Sequence, residues 1–321
     1  MARIVVVTPN PAIDVTYRVT EQRIGDTVRV HGVDRRAGGK GVNVVRVLAA
    51  LGIPAVAVQP LGGASGRWIA DALSAERIET VTVHVPAETR QTVAVVDDRA
   101  HPTLFAESGH PLSDAAWRRL AAAVGDRAEP GGCVVLSGSV PPRTDPRQVS
   151  GVIAAARAAG ATVVVDTSGP ALLVAAGAQA DYVTPNEAEA LAASGATTLR
   201  EGMRALVDAG AGTVVVSRGA DGMVALGRDG AETRQVAVPD VHGNPTGAGD
   251  AATAGLVGAL ADGGGLARAL RSAAVLGAAA VLAPVAGEID AAAIDGLRAR
   301  LGPEPSRPHP SAAPRSPETQ R

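Results

Sequence analysis

Two glycine-rich stretches place polar side chains where a helix is about to begin. In Gly243-Asn244-Pro245-Thr246-Gly247-Ala248-Gly249-Asp250, Gly247, Ala248 and Gly249 would aim successive backbone N–H groups at one point, which suits the charge on a transferring phosphoryl group. Asp250, in the same turn, could take a proton from a hydroxyl attacking that phosphorus. A carboxylate at a helix start could equally serve only to satisfy orphan donors. Gly247, Gly249 and Ala252 also fit the loose G-x-G-x-x-A pattern of dinucleotide sites. Against that, Asp250 would set a negative charge beside a pyrophosphate, and the fingerprint usually opens the first βαβ unit. The other stretch, Gly38-Gly39-Lys40-Gly41-Val42-Asn43, offers free N–H groups and close backbone approach to an anion or to sugar hydroxyls, or else a plain tight turn. It is not a Walker A loop, because Asp34 stands where the first glycine belongs and Gly41 replaces the Ser or Thr.

Further polar residues follow β-branched runs, where open α/β sheets collect ligands. Asp14 comes after Thr8-Pro9-Asn10-Pro11, Ser139 lies in Ser137-Gly138-Ser139, and Asn186 and Glu189 lie in Pro185-Asn186-Glu187-Ala188-Glu189. Each also reads as a turn former. Arg29 and Arg90 fall in polar, alternating segments, where the plain alternative is a solvated edge charge. The six histidines show no paired metal-ligand spacing, and no Ser/His/Asp order suggests a hydrolase. Cys133, inside an apolar strand, reads as core packing.

The elements that must position these residues follow from patterning. Runs at Ile4-Val7, Ala55-Val58, Val134-Leu136, Thr162-Val165, Tyr182-Thr184 and Thr213-Val216 read as buried strands, alternating with helical stretches such as Gly41-Leu51, Asp114-Val124 and Pro146-Ala159. That alternation predicts an α/β fold: a doubly wound, mainly parallel sheet with helices on both faces. Val15 to Arg36 and Val81 to Leu104 break the pattern and predict a small separate sheet, a lid. Residues 1–301 would form the domain, and the Pro- and Ser-rich 302–321 a disordered tail.

Composition narrows the partners. The chain has 321 residues, with 46% hydrophobic, 19% charged and 2% aromatic residues, so Ala, Val, Leu and Ile must build the core. Five aromatics leave little for stacking on bases, and a net charge of -2 argues against polyanions and anionic membranes. The reading is a cytoplasmic protein that binds neither nucleic acid nor membrane. Lid strands this few cannot bury a core of their own, which predicts a homodimer completed through the lid.

Together these residues resemble the ribokinase-like carbohydrate kinases of the PfkB family over residues 1 to 301. Gly38 to Asn43 and Gly247 to Asp250 carry the resemblance. Thr8 to Asp14, Glu88-Thr89-Arg90, Leu136 to Pro142 and Ser217-Arg218-Gly219-Ala220-Asp221-Gly222 point to the branch with 1-phosphofructokinase, tagatose-6-phosphate kinase and the minor bacterial 6-phosphofructokinase. The resemblance implies Asp250 as catalytic base, with Gly247, Ala248 and Gly249 as anion hole. It implies that Asp14, Gly39, Lys40 and Asn43 hold sugar hydroxyls, and that Arg90, Arg29 and Ser139 meet an existing sugar phosphate. Asn186 and Glu189 match an Asn-x-x-Glu element that places Mg and phosphate, with Mg carried by ATP and Glu189 acting through water. Ser217, Gly219 and Gly222 match a nucleotide-side loop. The implied reaction is phosphorylation, by ATP, of fructose 1-phosphate, fructose 6-phosphate or tagatose 6-phosphate. A free sugar or nucleoside as acceptor, and a non-catalytic sugar-phosphate-binding regulator, are the alternatives. Thr184 stands where the branch usually has Lys, and Gly243-Asn244-Pro245-Thr246 where it has Val-Asn-Pro-Val.

Overall fold

Branched side chains are stiff and fit a pleated surface buried on both faces, so the Val-rich runs become central strands of a parallel sheet. The computed structural model describes residues 3–97 and 102–302; most of the expected tail lies outside them. β1 (Ile4–Val7) is an interior strand of a nine-stranded sheet. On one side come β4 (Ala55–Gly62) and β5 (Glu79–Val85); on the other, β8 (Cys133–Ser137), β9 (Thr162–Asp166), β10 (Tyr182–Val183) and β11 (Thr213–Ser217), all parallel. β12 (Met223–Gly227) and β13 (Glu232–Gln235) extend that edge antiparallel.

Strand alternation splits the core in two. Ile4 and Val6 pack with α1 (Lys40–Ala50), α2 (Gly63–Ala75), α8 (Ala248–Ala261), α9 (Leu266–Val281) and α10 (Ile294–Arg300). Val5 and Val7 face α3 (Asp114–Arg127), α4 (Pro146–Ala158), α5 (Pro170–Gly177), α6 (Glu187–Ser194) and α7 (Leu199–Asp208). The sheet is therefore doubly wound. Connections leave β1 and β8 in opposite directions, and such a reversal opens a crevice at the strands' carboxyl ends. No helix among the described residues is long and apolar enough to cross a membrane.

A four-stranded sheet stands apart, in the order β3 (Gly32–Gly38), β2 (Ala12–Arg18), β6 (Arg90–Val96), β7 (Thr103–Ala106). Ile13, Val15 and Ala37 bury one face in the main core. The other carries Asp14, opposite Arg36 and Thr92, with Arg90 one pair further along. Two expectations need correction. Residues 81–85 belong to β5, paired in parallel with β4 at the edge of the large sheet; half-covered edge strands alternate just as lid strands do. Arg29 lies in the connection between β2 and β3, exposed and outside any strand.

Helices α8 and α9 touch through backbone. A Cβ on Gly255 would lie 2.5 Å from the Ser272 carbonyl oxygen and 2.7 Å from its carbon. Alanine gains roughly 1 kcal/mol over glycine in helix propensity, whereas overpacking a tight contact costs about 1–3 kcal/mol. Gly255→Ala is therefore expected to lower the unfolding midpoint in a thermal melt, against the propensity scale.

Candidate active site

The site assembles where β1 and β9 end and where α1 and α8 begin. After β1 the chain turns through Thr8-Pro9-Asn10-Pro11 into β2, which contributes Asp14. The turn from β3 into α1 must clear that carboxylate, since a Cβ on Gly38 would fall 2.0 Å from Asp14 Oδ2. Gly39, at φ +102, is left-handed, and its N–H bonds Asp14. Burial pushes the Asp14 carboxyl up, opposed chiefly by the Arg90 guanidinium.

Asp250 sits in the first turn of α8 behind Gly247, whose φ is +84. It is 6% exposed and accepts a hydrogen bond from Asn43 Nδ2 at 2.8 Å. It caps no backbone donor of its helix; Gly247 holds the cap position with no side-chain bond. Burial pushes the Asp250 carboxyl up to about 7, with nearby Asp166 adding to the rise while Asn43 and Lys40 oppose it. Of the three donors expected in the anion hole, the Ala248 N–H is taken by the Pro245 carbonyl at 3.1 Å. Among the described residues, the N–H groups of Gly247, Gly249 and Asp250 have no such acceptor, and the Cα of Gly249 faces open space.

Asp166 is the residue that sequence patterning misses. It closes β9, is 5% exposed, accepts from Ser137 Oγ at 3.1 Å and lies 3.6 Å from Lys40 Nζ. Its burial raises its own pKa too. The available signal is an acidic residue at the carboxyl end of a parallel strand. Glu189 reaches the same ammonium, Oε1 to Nζ 3.8 Å, while its Oε2 accepts the Asn186 N–H at 2.9 Å and Asn186 Oδ1 accepts the Glu189 N–H at 2.8 Å. Lys40 is thus the cation on which two carboxylates converge, and Asp166 holds its pKa above the ordinary value.

Arg90 is held by the Asn10 carbonyl (Nε, 3.2 Å) and the Glu107 carbonyl (Nη1, 2.9 Å). Asn10 Nδ2 in turn reaches Ser139 Oγ at 3.2 Å, which brings Ser139 to the same corner. The start of β6 is fixed by its neighbours: Glu88 accepts the Ala64 and Ser65 N–H groups of α2, and Thr89 Oγ1 accepts that of Gly62. Arg29 makes no hydrogen bond or ion pair with any described residue and is not drawn into the cluster. Ser217 bridges Asn186, so the Ser217-to-Gly222 loop lies beside the amino end of α6. Gly222, at φ +82, packs its Cα against the Gln235 carbonyl. Cys133 is buried in β8, with its thiol pushed up to about 12, and so stays protonated as core packing.

The model of the pfkB family carbohydrate kinases matches residues 2–291. The chain is 33% identical over 292 residues to the ATP-dependent 6-phosphofructokinase isozyme 2 of Escherichia coli (strain K12), covering 88% of this chain and 93% of that protein. It is 35% identical over 266 residues to the 1-phosphofructokinase of Rhodobacter capsulatus, covering 79% and 83%. The crystal structure of the Escherichia coli phosphofructokinase-2 in complex with fructose-6-phosphate superimposes with a TM-score of 0.85 at 29% identity, over 94% of this chain and all of that one.

Burying Asp250 has a measurable cost. An unfolded aspartate loses its proton near 3.8, whereas folded Asp250 keeps it to about 7. Between those values the unfolded chain binds fewer protons, so rising pH favours unfolding, and each pH unit crossed in that interval costs about 1.4 kcal/mol. The penalty is complete above pH 7 and absent below pH 4. Asp250→Asn, which cannot ionise, is expected to melt above the wild type at pH 8, with the gain fading by pH 4. A capping carboxylate would give a loss at pH 8 instead.

Proposed function

The chain belongs to the pfkB family of carbohydrate kinases, and from that premise we propose that it transfers the γ-phosphoryl group of ATP to a free hydroxyl of a phosphorylated ketohexose. The observation that carries this reading is Asp250, buried beside N–H groups that lack an acceptor, its carboxyl pushed up to about 7 by that burial. A base works best when its pKa lies near the operating pH. Asp250 would take the proton of the attacking hydroxyl, while the N–H groups of Gly247 and Gly249, with that of Asp250 in place of Ala248's, would stabilise charge on the phosphoryl oxygens. Asp14, Gly39, Lys40 and Asn43 would orient the sugar so that this hydroxyl faces Asp250. Ser217, Gly219 and Gly222 would line the nucleotide side.

A Mg ion arriving with the nucleotide would find a hard carboxylate oxygen on Glu189, whose Oε1 is shared with the Lys40 ammonium only at 3.8 Å. Such an ion supplies charge neutralisation on the phosphates; Asn186 fixes Glu189, which would face the ion through water. Arg90 and Ser139 would bind the phosphate already on the sugar. Arg90 suits that task because arginine forms a bidentate fork on phosphate oxygens and backbone carbonyls already hold it in place. The phosphofructokinases among the relatives favour fructose 6-phosphate or fructose 1-phosphate as acceptor, with tagatose 6-phosphate a third. Val33, Leu104 and Phe105 leave apolar surface on the outer strands of the small sheet, which supports a homodimer closed through that sheet and the small sheet acting as a lid. Sedimentation at micromolar concentration should give the dimer mass, and a monomer would remove this part of the reading.

An ADP-release screen over free sugars and sugar phosphates tests the whole. Turnover is expected with a ketohexose phosphate, and Asp250→Asn should lose about 10²-fold or more in kcat. Arg90→Ala should raise KM for the phosphosugar and leave KM for ATP unchanged. Equal turnover of free fructose would replace the phosphosugar reading by the unphosphorylated acceptor, and full activity in Asp250→Asn would sink the base.

A further inference from the structure

Arg46 lies three residues after Asn43 on α1, so the two share a helix face. Its side chain is almost wholly buried, and each of its three nitrogens has a partner. Nε and Nη2 grip both oxygens of Glu76 at 2.7 and 3.0 Å, Nη2 also donates to the Ala37 carbonyl at 2.9 Å, and Nη1 donates to Asn43 Oδ1 at 3.4 Å. Gly287 closes over this joint: at φ +78, its Cβ would fall 2.6 Å from Asn43 Oδ1 and 3.0 Å from Arg46 Nη1. No larger residue fits there without moving the amide.

A guanidinium has donors only. The Asn43 carbonyl must therefore face Arg46, which turns the Asn43 NH2 toward Asp250. We propose that Arg46 is the positioning residue for the base, setting through Asn43 which end of the amide meets Asp250, so that Oδ2 is held by a donor and Oδ1 is left for the substrate proton. The inference rests on the reading of Asp250 as base. Because the same guanidinium grips Ala37, it also ties the root of the small sheet to that orientation.

Loss of the relay removes a donor that favours ionised Asp250. The other groups facing this carboxyl are Asp166 from β9, Lys40 from α1 and Asp14 from β2, all unaltered by the substitutions below. Arg46 also lowers Asp14 through space, and an Asn43→Ala background separates that effect from the relay.

The test follows the Asp250 carboxyl by 13C NMR in the full-length protein, assigned with Asp250→Asn, together with kcat against pH. Arg46→Met should move the Asp250 midpoint and the acid limb of kcat upward by roughly one pH unit, the scale of one hydrogen bond to a carboxylate, with KM for ATP unchanged. In the Asn43→Ala background the same substitution should move neither. A merely structural arginine would lower the melting temperature and leave both midpoints where they are, which overturns the proposal. If Arg46→Met does not fold, Gly287→Ala disturbs the same joint without altering a charge and must reproduce the upward shift; an unmoved midpoint there overturns the proposal equally. Wild-type turnover in Asp250→Asn would defeat the base and this inference together. An inactive Asp250→Asn with unshifted Arg46→Met defeats the inference alone.

Discussion

A hydrogen bond of 2.8 Å joins Asn43 to Asp250 across 207 positions of sequence, and it fixes the two halves of the site against each other. It requires the first turns of α1 and α8 to face each other above the end of the sheet, with polar side chains filling the space between. The glycines around them follow from this constraint. At Gly38 a side chain would strike Asp14, at Gly41 it would strike Thr8 Oγ1, and at Gly287 it would strike the Asn43 amide itself. What looks in sequence like glycine richness for a ligand's sake is in part glycine richness for the sake of the polar side chains.

The same crowding sets the electrostatics. Asp250 and Asp166 are almost fully buried, Asp14 is half-buried, and Glu189 stands close by, yet Lys40 is the ammonium that answers two of them directly. Burial makes Asp250, Asp166 and Asp14 hold their protons longer than free aspartates do. Stability is lost and basicity near pH 7 is gained by one arrangement. A well-paired Asp250 would have been a more comfortable residue and a weaker base.

Long periodic elements are legible because burial on two faces leaves a plain record: Val runs for β1, β8, β9 and β11, Ala and Leu runs for α8 and α9. Asp250, Asn43, Lys40 and Asp14 also stand in candidate stretches of the sequence, which the fold brings to one corner. The failures have physical causes. β5 is an edge strand, so its alternation imitates a free-standing sheet. The Thr162-Val165 run ends at its last apolar residue, one short of Asp166, because periodicity records what is buried among hydrocarbon and says nothing of a buried acid. The Ala248 N–H looks like a free donor in sequence although Pro245, three residues earlier, offers it a carbonyl. Arg29 falls in the connection between β2 and β3, a path that no periodicity describes.

The Glu88-Thr89-Arg90 segment shows how the fold turns ordinary contacts into a rigid cation. Glu88 is drawn down to about 2 by the Ser65 hydroxyl and by the N–H groups of Ser65 and Ala64, so it remains an ionised clamp on the start of α2 at any pH the protein meets. Thr89 ties the same point to the end of β4. Arg90 then enters β6 from a fixed backbone, and the Asn10 and Glu107 carbonyls take up two of its donors before any ligand arrives. A free arginine loses about 2 kcal/mol of rotamer entropy when a ligand orders it, and here folding has already borne that loss. The guanidinium is consequently placed by the large sheet and by α2 as much as by the small sheet in which it lies. Because Glu107 directly follows β7, the guanidinium is tied to that outer strand as well.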